Sequence, residues 1–129
     1  MRLFYLALSY VLAPFVVLII IWKGLRNRAY WDRVEERFGF GKSRTERRAI
    51  WIHAVSVGEV ELARQLIREL GSRHRDLPVL VTATTATGLV LARKTLSEGA
   101  VVLPAPLDLP GPVGRVFEAA DPRLLVLVE

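Results

Sequence analysis

The chain has 129 residues, 52% of them apolar, a formal net charge of +5 and no cysteine. That length holds one small domain and hardly two. The lack of cysteine excludes a disulfide framework and thiolate chemistry, in keeping with a reducing compartment.

The apolar excess sits at the start. Residues Leu3 to Trp22 carry no charge, and Ser9 is the only strongly polar side chain there besides Tyr5 and Tyr10. Twenty residues at ~1.5 Å rise reach ~30 Å, the hydrocarbon thickness of a bilayer, so residues 1–22 are expected to form a transmembrane anchor. Pro14 inside the run is better tolerated in a membrane helix than in a soluble one. A signal peptide is the competing reading. The length of the run, the lack of a small-x-small cleavage site after it and the charge that follows at once argue against it.

The charge is just as localised. Residues 23–48 hold nine basic and four acidic side chains, and the rest of the chain is balanced. A basic collar directly after an apolar segment suits a connector on the cytoplasmic side of the membrane. Nucleic acid is not expected as a partner, because no binding motif or aromatic platform accompanies the charge. Tyr30, Trp31, Val34 and Phe38 recur at roughly helical spacing. They fit a short amphipathic helix lying on the membrane or packed on the domain. Gly39, Gly41 and Lys42 read as a loop.

Residues 49–129 show a regular alternation. Ala49 to Ala54 is a predicted strand. Glu59 to Leu70 is a predicted helix with Val60, Ala63, Leu66, Ile67 and Leu70 on one face, and Gly71 as its stop. Val79 to Ala83 is a second strand, Gly88 to Leu96 a second helix ended by Gly99, and Ala100 to Leu103 a third strand. A proline-rich loop, Pro104 to Pro110, leads to a helix over Pro112 to Ala120 and a fourth strand over Arg123 to Val128. Strands alternating with helices of about ten residues mean βαβ units. Apolar strands without internal alternation mean a parallel sheet covered on both faces. The expected class is α/β with a Rossmann-like parallel sheet. The sequence stops just after a buried-type strand. Residues 49–129 are therefore expected to be part of a domain, with the sheet's edge poorly covered.

Chemistry-bearing residues gather where strands run into helices. Ser56-Val57-Gly58-Glu59 fits the Ser-x-x-Glu capping box. The same Glu59, ionised by preference at a helix N-terminus, also fits a general base, and Gly58 beside it would let a substrate approach the backbone. The two roles compete, since a carboxylate locked in a cap is less free to reach a hydroxyl. In the second turn, Thr84, Thr85, Thr87 and Gly88 offer hydroxyls and backbone N–H groups to a phosphate or sugar, with Thr87 alternatively an N-cap. His53 ends the first strand, where a hydrogen-bonded structural histidine is the commoner case. Asp108 caps the following helix or lines the cleft, and Glu129 ends the fourth strand. His53 and His74 stand apart with no clustered acids, so no metal site is expected. The dinucleotide fingerprint, the phosphate-binding P-loop and the nucleophile-elbow motif are all absent, which argues against NAD enzymes, P-loop enzymes and α/β-hydrolases.

Taken in order, several segments resemble one family. They are Glu36-Arg37-Phe38-Gly39, the run Trp51-Ile-His-Ala-Val-Ser-Val-Gly-Glu59, the threonine-rich turn ending Thr87-Gly88, Leu103-Pro-Ala-Pro-Leu-Asp-Leu-Pro110 and Asp121-Pro-Arg-Leu-Leu-Val-Leu-Val-Glu129. Together they resemble the N-terminal part of the bacterial transferases that attach 3-deoxy-D-manno-octulosonic acid (Kdo) to lipid A precursors. The nine-residue run is specific; the other segments add order and spacing. The resemblance implies a metal-independent, inverting, inner-membrane-associated glycosyltransferase of family 30 with no cofactor. Its GT-B fold has two Rossmann-like domains, the N-terminal one binding the lipid A precursor and the C-terminal one CMP-Kdo. It makes Glu59 the general base and Glu129 a second functional glutamate. Ala86 departs from it, standing where the family usually has proline. The family continues past this point with a Glu-Leu-Trp-Pro segment and the donor domain, so residues 1–129 alone are expected to be inactive. Two other readings stay open: a non-catalytic membrane-tethered α/β module, and a GT-B transferase with another sugar donor.

Overall fold

The computed structural model describes residues 2–26, 34–40 and 48–129. Tyr30, Trp31, Gly41 and Lys42, with much of the expected connector, lie outside the described residues.

The N-terminal run is one helix, α1 (Arg2–Arg26). Its stretch Leu3–Arg26 is long and apolar enough to cross a membrane by length and composition. Most of its apolar side chains are exposed, with Ser9 and Ile20 buried. The Ser9 hydroxyl donates to the Tyr5 carbonyl four residues back at 2.8 Å, the local bond that lets a serine sit inside an apolar helix.

A single helical turn follows, α2 (Val34–Arg37), and it is tied to the body of the domain. Leu107 N–H donates to the Arg37 carbonyl at 2.8 Å, and Arg115 Nε donates to the Phe38 carbonyl at 2.8 Å. The Arg115 guanidinium also lies over the Phe40 ring, 4.1 Å from its centroid. Gly39 makes this fit possible. Its φ is +79°, and a Cβ there would stand 2.8 Å from the Pro112 carbonyl oxygen and 2.9 Å from Arg115 Cβ.

Four parallel strands form the sheet: β1 (Ile50–Ala54), β2 (Val79–Ala83), β3 (Val101–Pro104) and β4 (Leu124–Val128), in the order β3-β2-β1-β4. The helices between them are α3 (Val57–Arg73), α4 (Ala86–Leu96) and α5 (Pro110–Ala120). The α/β, Rossmann-like architecture read from the alternation is the one observed. The chain winds outward from β1 to β3, then returns to the other side of β1. The reversal therefore falls between β1 and β4, and the crevice at the carboxyl ends of such strands is where ligands bind in open α/β sheets.

Side-chain alternation sorts the sheet into two faces. Ile50, Ile52, Ala54, Val79, Val81, Ala83 and Val102 pack with Val60, Ala63, Leu89, Ala92 and Leu96 from α3 and α4. Trp51, Leu80 and Leu103 face the other way, against Val116 and Ala120 of α5. Ile52, Leu80 and Val81 are fully buried, each contributing about 1.5–3 kcal/mol of apolar transfer.

Several boundaries differ from the sequence expectations. Helix α3 continues through Gly71 to Arg73, with His74 N–H bonded to the Leu70 carbonyl at 2.7 Å; a helix interior tolerates glycine for about 1 kcal/mol. Helix α4 starts at Ala86, because Thr85 and not Thr87 is its N-cap. Leu109, not Asp108, is the N-cap of α5, with Pro110 in its first turn. Strand β4 is an edge strand, with Leu124 54%, Leu125 36% and Leu127 60% exposed, in line with the poorly covered edge expected from the sequence and against coverage of every strand on both faces. A continuous apolar run does not by itself tell a central strand from an uncovered one.

Candidate functional site

The carboxyl ends of β1, β2 and β3 are stitched together past the strands themselves. Thr84 N–H donates to the Ala54 carbonyl at 3.2 Å, Thr85 N–H to Val55 at 2.9 Å and Ala105 N–H to Ala83 at 2.8 Å. These bonds carry the parallel ladder into the turns, so the turns are set by the sheet.

In the first turn, Ser56 and Glu59 form the capping box at the start of α3. Glu59 Oε2 accepts from the Ser56 backbone N–H at 2.9 Å and from the Ser56 hydroxyl. The Ser56 hydroxyl first, then the Glu59 backbone N–H, hold the Glu59 carboxyl below its ordinary value; desolvation opposes them, and the Ser56 backbone N–H adds to the lowering. The carboxylate is thus ionised and ready to accept a proton. Nothing lies within 4 Å of where a Gly58 Cβ would be, so the space expected for an approaching group is open.

In the second turn, Thr85 Oγ1 accepts from Gly88 N–H at 3.1 Å, capping α4. Gly88 is buried. Its missing Cβ leaves room for Ser56, whose carbonyl carbon would be 3.1 Å away. Gly88 thus brings the two turns together and does not face the open edge. Thr87 is exposed, and its hydroxyl stands 3.5 Å from Thr85 Oγ1.

A cavity of about 660 Å³ opens on the α5 face of the sheet, beside β4. His53, Thr84, Thr85 and Asp108 line it, as do the unforeseen Lys23, Arg37, Trp51, Phe117, Leu125 and Leu127. Trp51 and Phe117 meet edge to face, with centroids 5.1 Å apart. The Arg37 guanidinium reaches the Thr84 carbonyl at 3.5 Å. The walls are thus mainly apolar and aromatic, with two cations, a histidine, an aspartate and two threonines converging on them, a composition typical of ligand sites. Burial holds the His53 imidazole below its ordinary pKa, and the nearby Glu129 carboxylate offsets part of that shift.

The structure therefore splits the sequence candidates. His53, Thr84, Thr85 and Asp108 share the cavity; Ser56, Gly58, Glu59, Thr87 and Gly88 lie outside its lining, in the turns along the same sheet edge. Glu129 follows β4 directly and is exposed. The cavity's apolar wall was hidden because Trp51, Leu125 and Leu127 read as ordinary strand residues. Among the described residues, no group of three or more His, Asp or Glu side chains is placed to hold a metal ion.

Comparison with known proteins supplies a family. Residues 32–129 match the family model described as 3-deoxy-D-manno-octulosonic-acid transferase (kdotransferase). The chain is 34% identical over 126 residues to a probable mitochondrial 3-deoxy-D-manno-octulosonic acid transferase of Arabidopsis thaliana, covering 97% of this chain and 28% of that protein. It is 32% identical over 130 residues to the 3-deoxy-D-manno-octulosonic acid transferase of Haemophilus influenzae, covering 99% of this chain and 30% of that protein. The corresponding protein of Rickettsia bellii is 36% identical over 109 residues, covering 84% and 26%. The chain thus spans under a third of the length of these relatives. The family model spans most of the chain, and the chain belongs to the 3-deoxy-D-manno-octulosonic-acid transferase family.

Proposed function

We propose that this chain is the acceptor-binding part of a GT-B glycosyltransferase that moves Kdo from CMP-Kdo to a lipid A precursor, with inversion. The observation that carries this reading is Glu59, an ionised carboxylate at the mouth of α3 beside the open backbone of Gly58. In the proposed step, Glu59 takes the proton of the acceptor's sugar hydroxyl. The hydroxyl oxygen forms the new bond to the anomeric carbon of Kdo. The bond from that carbon to the CMP phosphate oxygen breaks, and CMP leaves with the electron pair. Assistance of this kind is worth roughly 10²–10⁴-fold.

The cavity suits the rest of the acceptor. Leu125, Leu127, Trp51 and Phe117 offer apolar surface, and Lys23 and Arg37 bring positive charge to a phosphorylated lipid. Helix α1 is read as the anchor that keeps this site at the inner face of the bacterial cytoplasmic membrane. The donor CMP-Kdo is assigned to the part of the relatives that this chain does not span. No cofactor or metal is required by this step.

The test uses a chimera in which this chain replaces the matching segment of the Haemophilus influenzae relative. Glutamine can still serve in a capping box but cannot accept the proton. Glu59→Gln is expected to abolish Kdo transfer to a lipid A precursor while the fold and acceptor binding persist. Retained transfer would reduce Glu59 to a cap. The Ser56 bonds that already hold the carboxylate favour a second reading, a membrane-tethered module that binds the acceptor without turnover. Acceptor binding with no transfer by the unmutated chimera supports that reading.

A further inference from the structure

Three side chains on the cavity face of the sheet form a hydrogen-bonded row. Trp51 Nε1 is 2.9 Å from Thr82 Oγ1, and Thr82 Oγ1 is 2.9 Å from His53 Nδ1. Thr82 is fully buried and Trp51 nearly so. His53 and Thr82 are register partners on β1 and β2, so the row is set by the backbone.

The chemistry of the row fixes where its protons lie. The indole Nε1–H can only donate, so Thr82 Oγ1 accepts from Trp51. The hydroxyl has one proton of its own, and a buried hydroxyl proton needs an acceptor. Among the described residues the hydroxyl's partners are Trp51 and His53, and only His53 Nδ1 can accept. An imidazole that accepts at Nδ1 and is neutral carries its proton on Nε2. Nε2 is on the ring edge turned away from Thr82, and His53 lines the cavity. Glu129, two residues beyond Leu127, the register partner of His53, follows β4 directly, and its carboxylate acts on the His53 ring. Lys23, Arg37 and Asp108 bring the other charges around that cavity.

We propose that Thr82 is a positioning residue that fixes His53 in the Nε2–H tautomer, so that the cavity presents a neutral, oriented hydrogen-bond donor to an oxygen of the bound ligand. The identity of that oxygen, on the phosphate or sugar of an acceptor, rests on the proposed function; the tautomer does not.

The tautomer is read by nitrogen-15 NMR of histidine-labelled chain in detergent micelles near neutral pH, with His74→Gln leaving one histidine signal. The expected spectrum has an unprotonated Nδ1 and a protonated Nε2. Thr82→Ser keeps that pattern, and Thr82→Val, which removes the hydroxyl proton, shifts the ring toward a mixture with Nδ1–H. Thr82→Ala, which removes the same hydroxyl proton with a smaller side chain, shifts it the same way and serves if Thr82→Val does not fold. A proton on Nδ1 in the unmutated chain, or a tautomer unmoved by either substitution, overturns the assignment. In the chimera, His53→Gln, whose amide nitrogen reaches the Nε2 position, is expected to keep an acceptor KM about tenfold lower than His53→Asn, whose amide reaches only the Nδ1 position. Equal KM values overturn the ligand-facing role. An unmutated chimera that fails to transfer Kdo speaks against the proposed function and not against the tautomer, which the spectra read alone.

Discussion

Gly88 lies against the backbone of Ser56. A Cβ on Gly88 would stand 3.1 Å from the Ser56 carbonyl carbon, 3.3 Å from its α-carbon and 2.9 Å from Thr85 Oγ1. The turn bearing the proposed base and the turn lining the cavity therefore meet at backbone distance. Gly88→Ala is expected to push them apart. Two of the three neighbours are main chain, so a rotamer change relieves little, and the expected loss is about 1–3 kcal/mol. Chemical denaturation of the purified chain measures it. An unchanged midpoint would mean that the turns separate freely.

Two other glycines should respond in opposite ways. Gly39→Ala meets both a φ of +79° and the Pro112 carbonyl at 2.8 Å, so it is expected to destabilise by about 2 kcal/mol. Gly58→Ala meets nothing within 4 Å and sits in the first turn of α3. It should be neutral or stabilising by up to about 1 kcal/mol. If the open space beside Gly58 admits the acceptor, the same substitution lowers Kdo transfer by the chimera. Melting temperatures and transfer rates of the two variants separate space that stability uses from space that function uses.

The bond from the Ser56 hydroxyl is the largest of the influences that lower the Glu59 pKa. Ser56→Ala is expected to let that value rise toward the ordinary carboxylate range. A base works when ionised, so activity falls as pH drops through its pKa. A higher pKa therefore moves the acid limb of kcat/KM for the chimera to higher pH. The stability linkage has the matching sign. With its folded value depressed, Glu59 adds stability above the unfolded value, and that stability is lost as pH falls through the folded one. Ser56→Ala should narrow that loss, and a pH–rate profile with an unmoved acid limb would sink the assignment of Glu59 as base.

Burial is also the main reason the His53 pKa lies below its ordinary 6.5. The folded chain then binds fewer protons than the unfolded chain between the folded value and 6.5. Stability from the neutral ring is complete above that unfolded value and declines as pH falls toward the folded one. His53→Gln should flatten this part of the melting-temperature profile. A profile of equal slope in both proteins would show that other groups produce it.

Periodicity and turn residues were enough to place β1 to β4 and the three helices between them, because each element is punctuated by small or capping residues. The capping box at Ser56 and Glu59 was equally legible, being a local pattern four residues long. The cavity was not. Trp51, Phe117, Leu125, Leu127, Arg37 and Lys23 come from five different elements, and only tertiary packing, including the return of β4 to the side of β1, brings them together. Thr82 was missed for a related reason. In sequence it is one polar residue in a strand, and its role depends on facing His53 across the β1–β2 pair.

That return also orders the appearance of the site during synthesis. Strand β1 pairs with β2 after about thirty residues of further chain, but Ile50 waits for Leu124 to gain its second neighbour. Contacts so distant in sequence close late and slowly. On the ribosome, α3, α4 and three strands can therefore assemble around an incomplete middle strand, while Trp51 and His53 face solvent on one side. Among the described residues, the cavity wall formed by Leu125 and Leu127 is synthesised last, so the first three strands precede the surface proposed to hold a ligand.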